Sequence, residues 1–206
     1  IRDRSVSRGL GDVYKRQFEY YSEDPYLSGK LAAGFIRGAQ KQGVSACAKH
    51  YAANAQELLR MHSDSVMDER TLREMYLTNF EIAIKEGKPG FVMTAYNRVN
   101  GVYANESRHL LGDILRGEWG FDGAVVTDWG GSNDHALGVK NGSTLEMPCP
   151  GDDSIRELIK AVQTGKITEA DVDARLKELL ELVFTTKAAV DTAPSKFDAD
   201  AHHALA

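Results

Sequence analysis

The sequence has few of the features that mark several large classes of protein. Its two cysteines, Cys47 and Cys149, are too few for a disulfide framework and match no metal-ligand spacing. No apolar run approaches the roughly 20 residues that span a bilayer. Gly130-Gly131 lacks the spacing of a phosphate-binding glycine loop. A net charge of −5 gives no reason to expect nucleic-acid binding. We therefore predict no metal, cofactor, nucleic-acid or membrane partner.

The 206 residues instead alternate between apolar, strand-like segments and amphipathic, helix-like segments. The predicted strands are Val44–Ala48, Phe91–Ala95, Gly123–Thr127 and, more weakly, Thr144–Met147. The predicted helices start near Pro25, after Asp68, after Ser107, at Asp153, and at a capping box, Thr168–Asp171, from which the helix continues to Phe184. A further short helix is predicted between the third strand and Gly142.

These strands are too apolar to be half exposed, which is typical of a parallel sheet covered by helices. The fold class is therefore α/β. An open doubly wound sheet and a (β/α)₈ barrel both fit this pattern. A complete barrel has eight strands and about 250 residues, so four strands correspond to roughly half of one.

Each predicted strand ends, on its carboxyl side, in polar or aromatic residues. The strand ends are Lys49-His50, Tyr96-Asn97, Asp128-Trp129 and Glu146-Met147. Ligands bind at this edge of parallel α/β folds, because the strand ends and the βα loops converge there. The sequence therefore predicts a binding or catalytic site built from these residues.

Two of the strand ends carry reactive groups. Asp128 is either a nucleophile or electrostatic stabiliser, or the cap of the following helix. Lys49 and His50 are a Schiff-base lysine with a helper, a pair of hydroxyl-binding donors, or a surface lysine beside a core histidine.

The aromatic and loop residues are more ambiguous. Tyr96 and Trp129 either stack on a sugar ring or fill the mouth of the fold. Arg60 lies in the loop after the first strand, close enough to reach the same edge, although most loop arginines are solvated. The same loop also contains Asn54, Gln56 and Glu57.

At Lys49-His50, Met93–Asn97 and Val126–Trp129 the sequence resembles glycoside hydrolase family 3. Further matching stretches occur in the same order: Phe18–Pro25, Lys49–Asn54, Glu69–Glu74, Leu115–Gly123 and Leu145–Pro148. The resemblance covers about residues 18–206. It implies a retaining β-glycosidase, most often a β-glucosidase, with a (β/α)-barrel domain followed by an α/β sandwich domain.

The resemblance also implies roles for individual residues. Asp128 matches the nucleophile that forms the glycosyl-enzyme intermediate. Lys49, His50 and Arg60 match residues that bind hydroxyls of the terminal sugar of a β-glucoside. Tyr96 and Trp129 match residues that line this subsite. The Pro-Gly-His stretch typical of the hexosaminidase branch does not follow Lys49-His50, which favours a glucosidase or xylosidase.

The sequence departs from the family pattern at both ends. Residues 1–17 do not match and are predicted to be a leader foreign to the domain, so the position of Arg16 on a sugar-binding arginine of the family is interpreted as coincidence. Residues 18–186 are predicted to be the C-terminal half of the barrel, and 187–206 a linker and the start of a second domain. The family's general acid/base comes from that second domain, and no residue here matches it.

Two other functions remain as hypotheses. One is a non-catalytic sugar-binding domain, and the other is a Schiff-base lyase that uses Lys49.

Overall fold

The computed structural model describes residues 20–192 and 198–205. We number its strands and helices in chain order. The strands are β1 (Cys47–Tyr51), β2 (Asp64–Ser65), β3 (Phe91–Thr94), β4 (Arg98–Val99), β5 (Val102–Tyr103) and β6 (Ala124–Thr127). The first three helices are α1 (Pro25–Gln40), α2 (Glu69–Thr71, continued by Leu72–Leu77, Thr78–Ile82 and Ala83–Gly87) and α3 (Arg108–Glu118). The remaining helices are α4 (His135–Asn141), α5 (Asp152–Gln163), α6 (Glu169–Thr192) and α7 (Ala199–Leu205).

The main sheet has three parallel strands in the order β1-β3-β6. Its central strand, β3, pairs with β1 on one side and with β6 on the other. Helix α2 connects β1 to β3, and helix α3 connects β3 to β6, as expected for parallel strands joined by helical crossovers. This confirms the predicted α/β class.

Side-chain caps fix the starts of several helices where the sequence predicted them. Asp24 accepts hydrogen bonds from the backbone of α1, whose first residue is Pro25. Asp68 caps α2 and Ser107 caps α3 in the same way. These caps confirm the predicted starts, because the carboxylate or hydroxyl oxygen satisfies backbone N–H groups that have no partner within the helix.

The first strand lies further along the chain than predicted. It runs over Cys47–Tyr51 rather than Val44–Ala48, so Lys49 and His50 lie inside the strand and not after it. The pairing continues because Tyr51 packs into the core and its carbonyl accepts the N–H of Ala95 at 2.7 Å. Lys49 is tolerated there because its side chain is exposed.

The predicted fourth strand does not form a full ladder. Leu145 makes one isolated parallel bridge to Val126. The Thr144 hydroxyl, rather than its backbone, accepts the N–H of Val125 at 3.0 Å, and Pro148 has no N–H to continue the pairing. The sequence also missed a small second sheet, in which β4 lies between β2 and β5, because its strands have only two residues each.

The core lies between the main sheet and helices α2 and α3, and Tyr51 lies near its centre. The Tyr51 ring contacts Phe80 and Trp119 edge-on, with centroid distances of 5.2 and 5.9 Å. Its hydroxyl donates to the carbonyl of Leu110 at 2.9 Å. Full burial raises the pKa of Tyr51 well above its ordinary value. Because His50 directly precedes Tyr51 in β1, this packing also fixes the backbone position of His50.

Helix α6 is longer than predicted. It continues past Phe184 to Thr192, so residues 187–192 are helical rather than linker-like. Alanines favour the helix here, and Lys187 pairs with Asp191 one turn later at 2.8 Å. No helix among the described residues is long and apolar enough to cross a membrane.

Candidate active site

Asp128 follows the last residue of β6, at the carboxyl edge of the main sheet. Its side chain is 13% exposed. One carboxylate oxygen, Oδ1, accepts the backbone N–H of Trp129 at 2.8 Å. Helix α4 is capped by Asp134, which accepts the N–H of Leu137 at 2.9 Å. Asp128 is therefore not the cap of this helix, and its second oxygen, Oδ2, faces His50.

His50 reaches Asp128 from β1, which lies on the other side of the central strand β3. Its Nε2 lies 3.5 Å from Oδ2 of Asp128, and the ring is 2% exposed. Its Nδ1 lies 3.3 Å from the hydroxyl of Tyr20. The buried histidine is thus oriented from both ring nitrogens, with one nitrogen directed at the carboxylate.

The structure joins Tyr96, Trp129 and Arg60 to the same edge. Tyr96 is buried and donates its hydroxyl to the carbonyl of Trp129 at 2.7 Å. The guanidinium carbon of Arg60 lies 4.7 Å from the centre of the Tyr96 ring. Trp129 leaves 52% of its surface exposed. The edge therefore combines a carboxylate, an imidazole, a guanidinium and an accessible indole face.

Lys49 lies beside this group of residues. Its exposed side chain borders a cavity of about 380 Å³ between α1 and β1, which is lined mostly by apolar residues. Lys49 is not buried in the apolar surroundings that activate a Schiff-base lysine.

Two carboxylates near the site hold the loop that follows Asp128. Oε1 of Glu106 accepts the backbone N–H groups of Asn133 and Asp134 at 2.9 and 3.4 Å. Burial raises the pKa of Glu106 despite these hydrogen bonds, which favour the charged form. Glu146 lies 2.8 Å from Nδ1 of His135, the first residue of α4. The position of Glu146 at a strand end is predicted from the sequence, whereas that of Glu106 is not, because a single glutamate before a helix gives no signal of burial.

Within residues 20–192 and 198–205, no three His, Cys, Asp or Glu side chains are grouped so that they could hold a metal ion. Arg16 lies outside the described residues, so the structure does not bear on its interpretation.

The residues of this site lie within the part of the chain that matches a known protein family. The model of the glycosyl hydrolase family 3 N-terminal domain matches residues 12–182. The chain belongs to glycosyl hydrolase family 3. This confirms the resemblance seen in the sequence. The matched region begins at residue 12, whereas the resemblance was predicted to begin at Phe18.

Curated members of family 3 are similar over nearly the whole chain. Thermostable beta-glucosidase B of Acetivibrio thermocellus is 47% identical over 193 residues, which make up 93% of this chain and 25% of that protein. An exo-alpha-(1->6)-L-arabinopyranosidase of Bifidobacterium longum is 43% identical over 191 residues, with the same two coverages of 93% and 25%. The chain thus spans about a quarter of the length of these relatives.

Solved structures of the family show the same architecture. Beta-glucosidase 3B from Thermotoga neapolitana, in complex with glucose, aligns with a TM-score of 0.86 at 40% identity. The alignment covers 97% of this chain and 29% of that structure. The similarity therefore extends from the family motifs to the arrangement of strands and helices.

Proposed function

We propose that this chain is part of the catalytic domain of a retaining β-glycosidase in which Asp128 is the nucleophile. The names of its relatives favour a β-glucosidase. The main support is the position of Asp128. It lies at the carboxyl edge of a parallel sheet, does not cap a helix, and has one oxygen facing the buried His50. Catalytic residues of (β/α) barrels occupy such strand ends.

In this proposal the three parallel strands, the segment that bridges to β6 at Leu145 and the connecting helices form the C-terminal half of a (β/α) barrel. The relatives are about four times as long as the matched region, which leaves room for the remaining strands and a second domain. The second domain would supply the acid/base carboxyl group, about 5–5.5 Å from the Asp128 carboxylate, as in retaining enzymes.

The reaction would proceed in two displacements at the anomeric carbon. Asp128 attacks this carbon while the acid/base protonates the departing glycosidic oxygen, so that a covalent glycosyl-enzyme forms and the aglycone leaves. The acid/base, now ionised, then takes a proton from water, whose oxygen displaces Asp128 from the same carbon. The sugar leaves with its original anomeric configuration.

The other residues would bind the sugar that reacts. His50, Lys49 and Arg60 would donate hydrogen bonds to its hydroxyls, and Tyr96 and Trp129 would form the walls of the subsite. Hydrogen bonds to ring hydroxyls strengthen as the oxocarbenium-like transition state forms, and they contribute several kcal/mol to catalysis. His50 is suited to this role because Tyr20 holds its Nδ1, so that Nε2, 3.5 Å from Asp128, would be the donor to the sugar beside the nucleophile.

The experiment is a comparison of Asp128→Asn with the wild type, made in the natural polypeptide that contains these residues. Nitrophenyl β-glucoside, β-xyloside and α-L-arabinopyranoside are the substrates, since relatives of this chain are named for the first and third activities. We expect turnover of at least one of them, and a loss of about 10⁴-fold or more in kcat for Asp128→Asn.

The matched control is Asp122→Asn, because Asp122 is exposed and precedes the same strand. It is expected to retain wild-type activity. Glucose binding without turnover by the wild type would instead support a sugar-binding domain. Borohydride trapping of a carbonyl substrate on Lys49 would support a lyase. Either result, or an active Asp128→Asn variant, would contradict the proposal.

A further inference from the structure

Glu57 forms an ion pair with Arg60 at the edge of the candidate site. Both lie in the loop between β1 and β2, where the N–H of Arg60 donates to the carbonyl of Glu57 at 3.2 Å. This turn brings the side chains together, with Nη1 of Arg60 3.1 Å from Oε1 of Glu57. Each side chain is about one-third exposed, at 35% for Arg60 and 36% for Glu57.

Arg60 is held between this carboxylate and an aromatic ring. Its guanidinium carbon lies 4.7 Å from the centre of the Tyr96 ring, and that ring is fixed by the bond from its hydroxyl to the carbonyl of Trp129. The N–H of Trp129 in turn donates to Oδ1 of Asp128. A continuous series of contacts therefore connects Glu57 to the carboxylate at the strand end.

Arginine has a long, flexible side chain, and a ring face alone does not fix the direction of its N–H groups. A carboxylate does fix that direction, because it accepts the N–H bonds of the guanidinium in its plane. The Glu57 carboxylate lies 3.1 Å from Nη1 of Arg60 and attracts that end of the guanidinium, whose other nitrogen atoms can then serve a ligand.

We propose that Glu57 is a positioning residue, which holds Arg60 against Tyr96 in the orientation that binds a sugar hydroxyl. This inference rests on the proposed glycosidase function. It assigns Glu57 a task that the sequence left undecided among the polar residues of the loop. Glu57 acts through Arg60 and need not touch the substrate.

The test is Glu57→Gln in the natural polypeptide, since glutamine keeps the size of the side chain but removes its charge. We expect kcat/KM for the best nitrophenyl glycoside to fall about five-fold, mainly through KM, because solvent already weakens a partly exposed pair. Glu74→Gln is the matched control. Glu74 pairs with Arg70 on α2, at side-chain exposures of 60% and 83%, and its replacement is expected to leave KM unchanged.

A double-mutant cycle separates positioning from a structural effect. If Glu57 acts through Arg60, then Glu57→Gln adds nothing to the loss caused by Arg60→Lys. Additive losses, or a Glu57→Gln variant with the KM of the Glu74→Gln control, would overturn the inference. Failure of the proposed function is seen separately, because the wild type would then show no turnover or would not depend on Asp128.

Discussion

A buried ion cluster should fix helix α6 to the main sheet. Glu178 accepts hydrogen bonds from Arg116 at 2.9 Å and from the hydroxyl of Thr144 at 2.6 Å, and it forms an ion pair with Arg175 at 2.7 Å. These charged side chains are only 13–17% exposed. Burial lowers the pKa of Arg116, which the negative charge of Glu178 opposes.

Replacing Glu178 with glutamine removes the carboxylate that pairs with both Arg116 and Arg175, so that the repulsion between the two arginines is no longer offset by this charge. Loss of one partner of a buried ion pair costs about 3–5 kcal/mol, and the residual exposure places this cluster near 3 kcal/mol. Because the hydroxyl of Thr144 also accepts the N–H of Val125, the substitution should lower the local stability of β6.

Amide hydrogen exchange of the β6 peptide, measured by mass spectrometry in the natural polypeptide, reports this local stability. A loss of about 3 kcal/mol corresponds to exchange roughly 100-fold faster, at 1.4 kcal/mol for each factor of ten. Glu181→Gln is the control, since Glu181 lies on the same helix in an exposed pair with Lys177. Exchange in Glu178→Gln no faster than in this control would refute the reasoning.

Two further predictions concern buried groups. Folding raises the pKa of Glu106, so the stabilisation from its protonated form is complete below its ordinary pKa and is lost as the pH rises through the raised value. Across that pH interval, the unfolding free energy of the wild type should therefore fall relative to that of Glu106→Gln. Parallel pH profiles of the two proteins in urea titrations would contradict this. Tyr51→Phe keeps the ring contacts but leaves the Leu110 carbonyl without its donor, so we expect a loss of about 1 kcal/mol in the same titrations, and an unchanged midpoint would show that this bond contributes nothing.

The parts of the fold that the sequence predicted are those governed by local rules. The helix start at Pro25 and the caps at Asp68 and Ser107 were predicted because a capping residue or an N-terminal proline acts on the backbone a few positions away. The extent of β1 was wrong because it depends on pairing with β3 and on burial of Tyr51, which no local pattern reveals. The fourth strand is limited to the parallel bridge between Leu145 and Val126 for a similar reason, since the N–H of Val125 bonds to the Thr144 side chain rather than to a backbone carbonyl.

The candidate site likewise contains residues that the sequence predicted and residues that only the structure reveals. Strand-end chemistry and the family motifs pointed to Asp128 and His50, and the structure brings them into contact. The sequence could not choose between Asp128 as helix cap and Asp128 as nucleophile, because only the five residues 129–133 separate it from Asp134, the residue that does cap α4. The roles of Glu106 and Glu57 depend on contacts across loops, which become visible only in three dimensions.

The most direct measurement of the central claim is covalent trapping of the nucleophile. A 2-fluoro-2-deoxy-β-glucoside with a good leaving group slows both displacements, and the leaving group allows the glycosyl-enzyme to accumulate. After proteolysis of the inactivated natural polypeptide, mass spectrometry should find the fluoroglucosyl group on the peptide that contains Asp128, and the Asp128→Asn variant should not be labelled. A label on any other carboxylate, or time-dependent inactivation that persists in Asp128→Asn, would contradict the account.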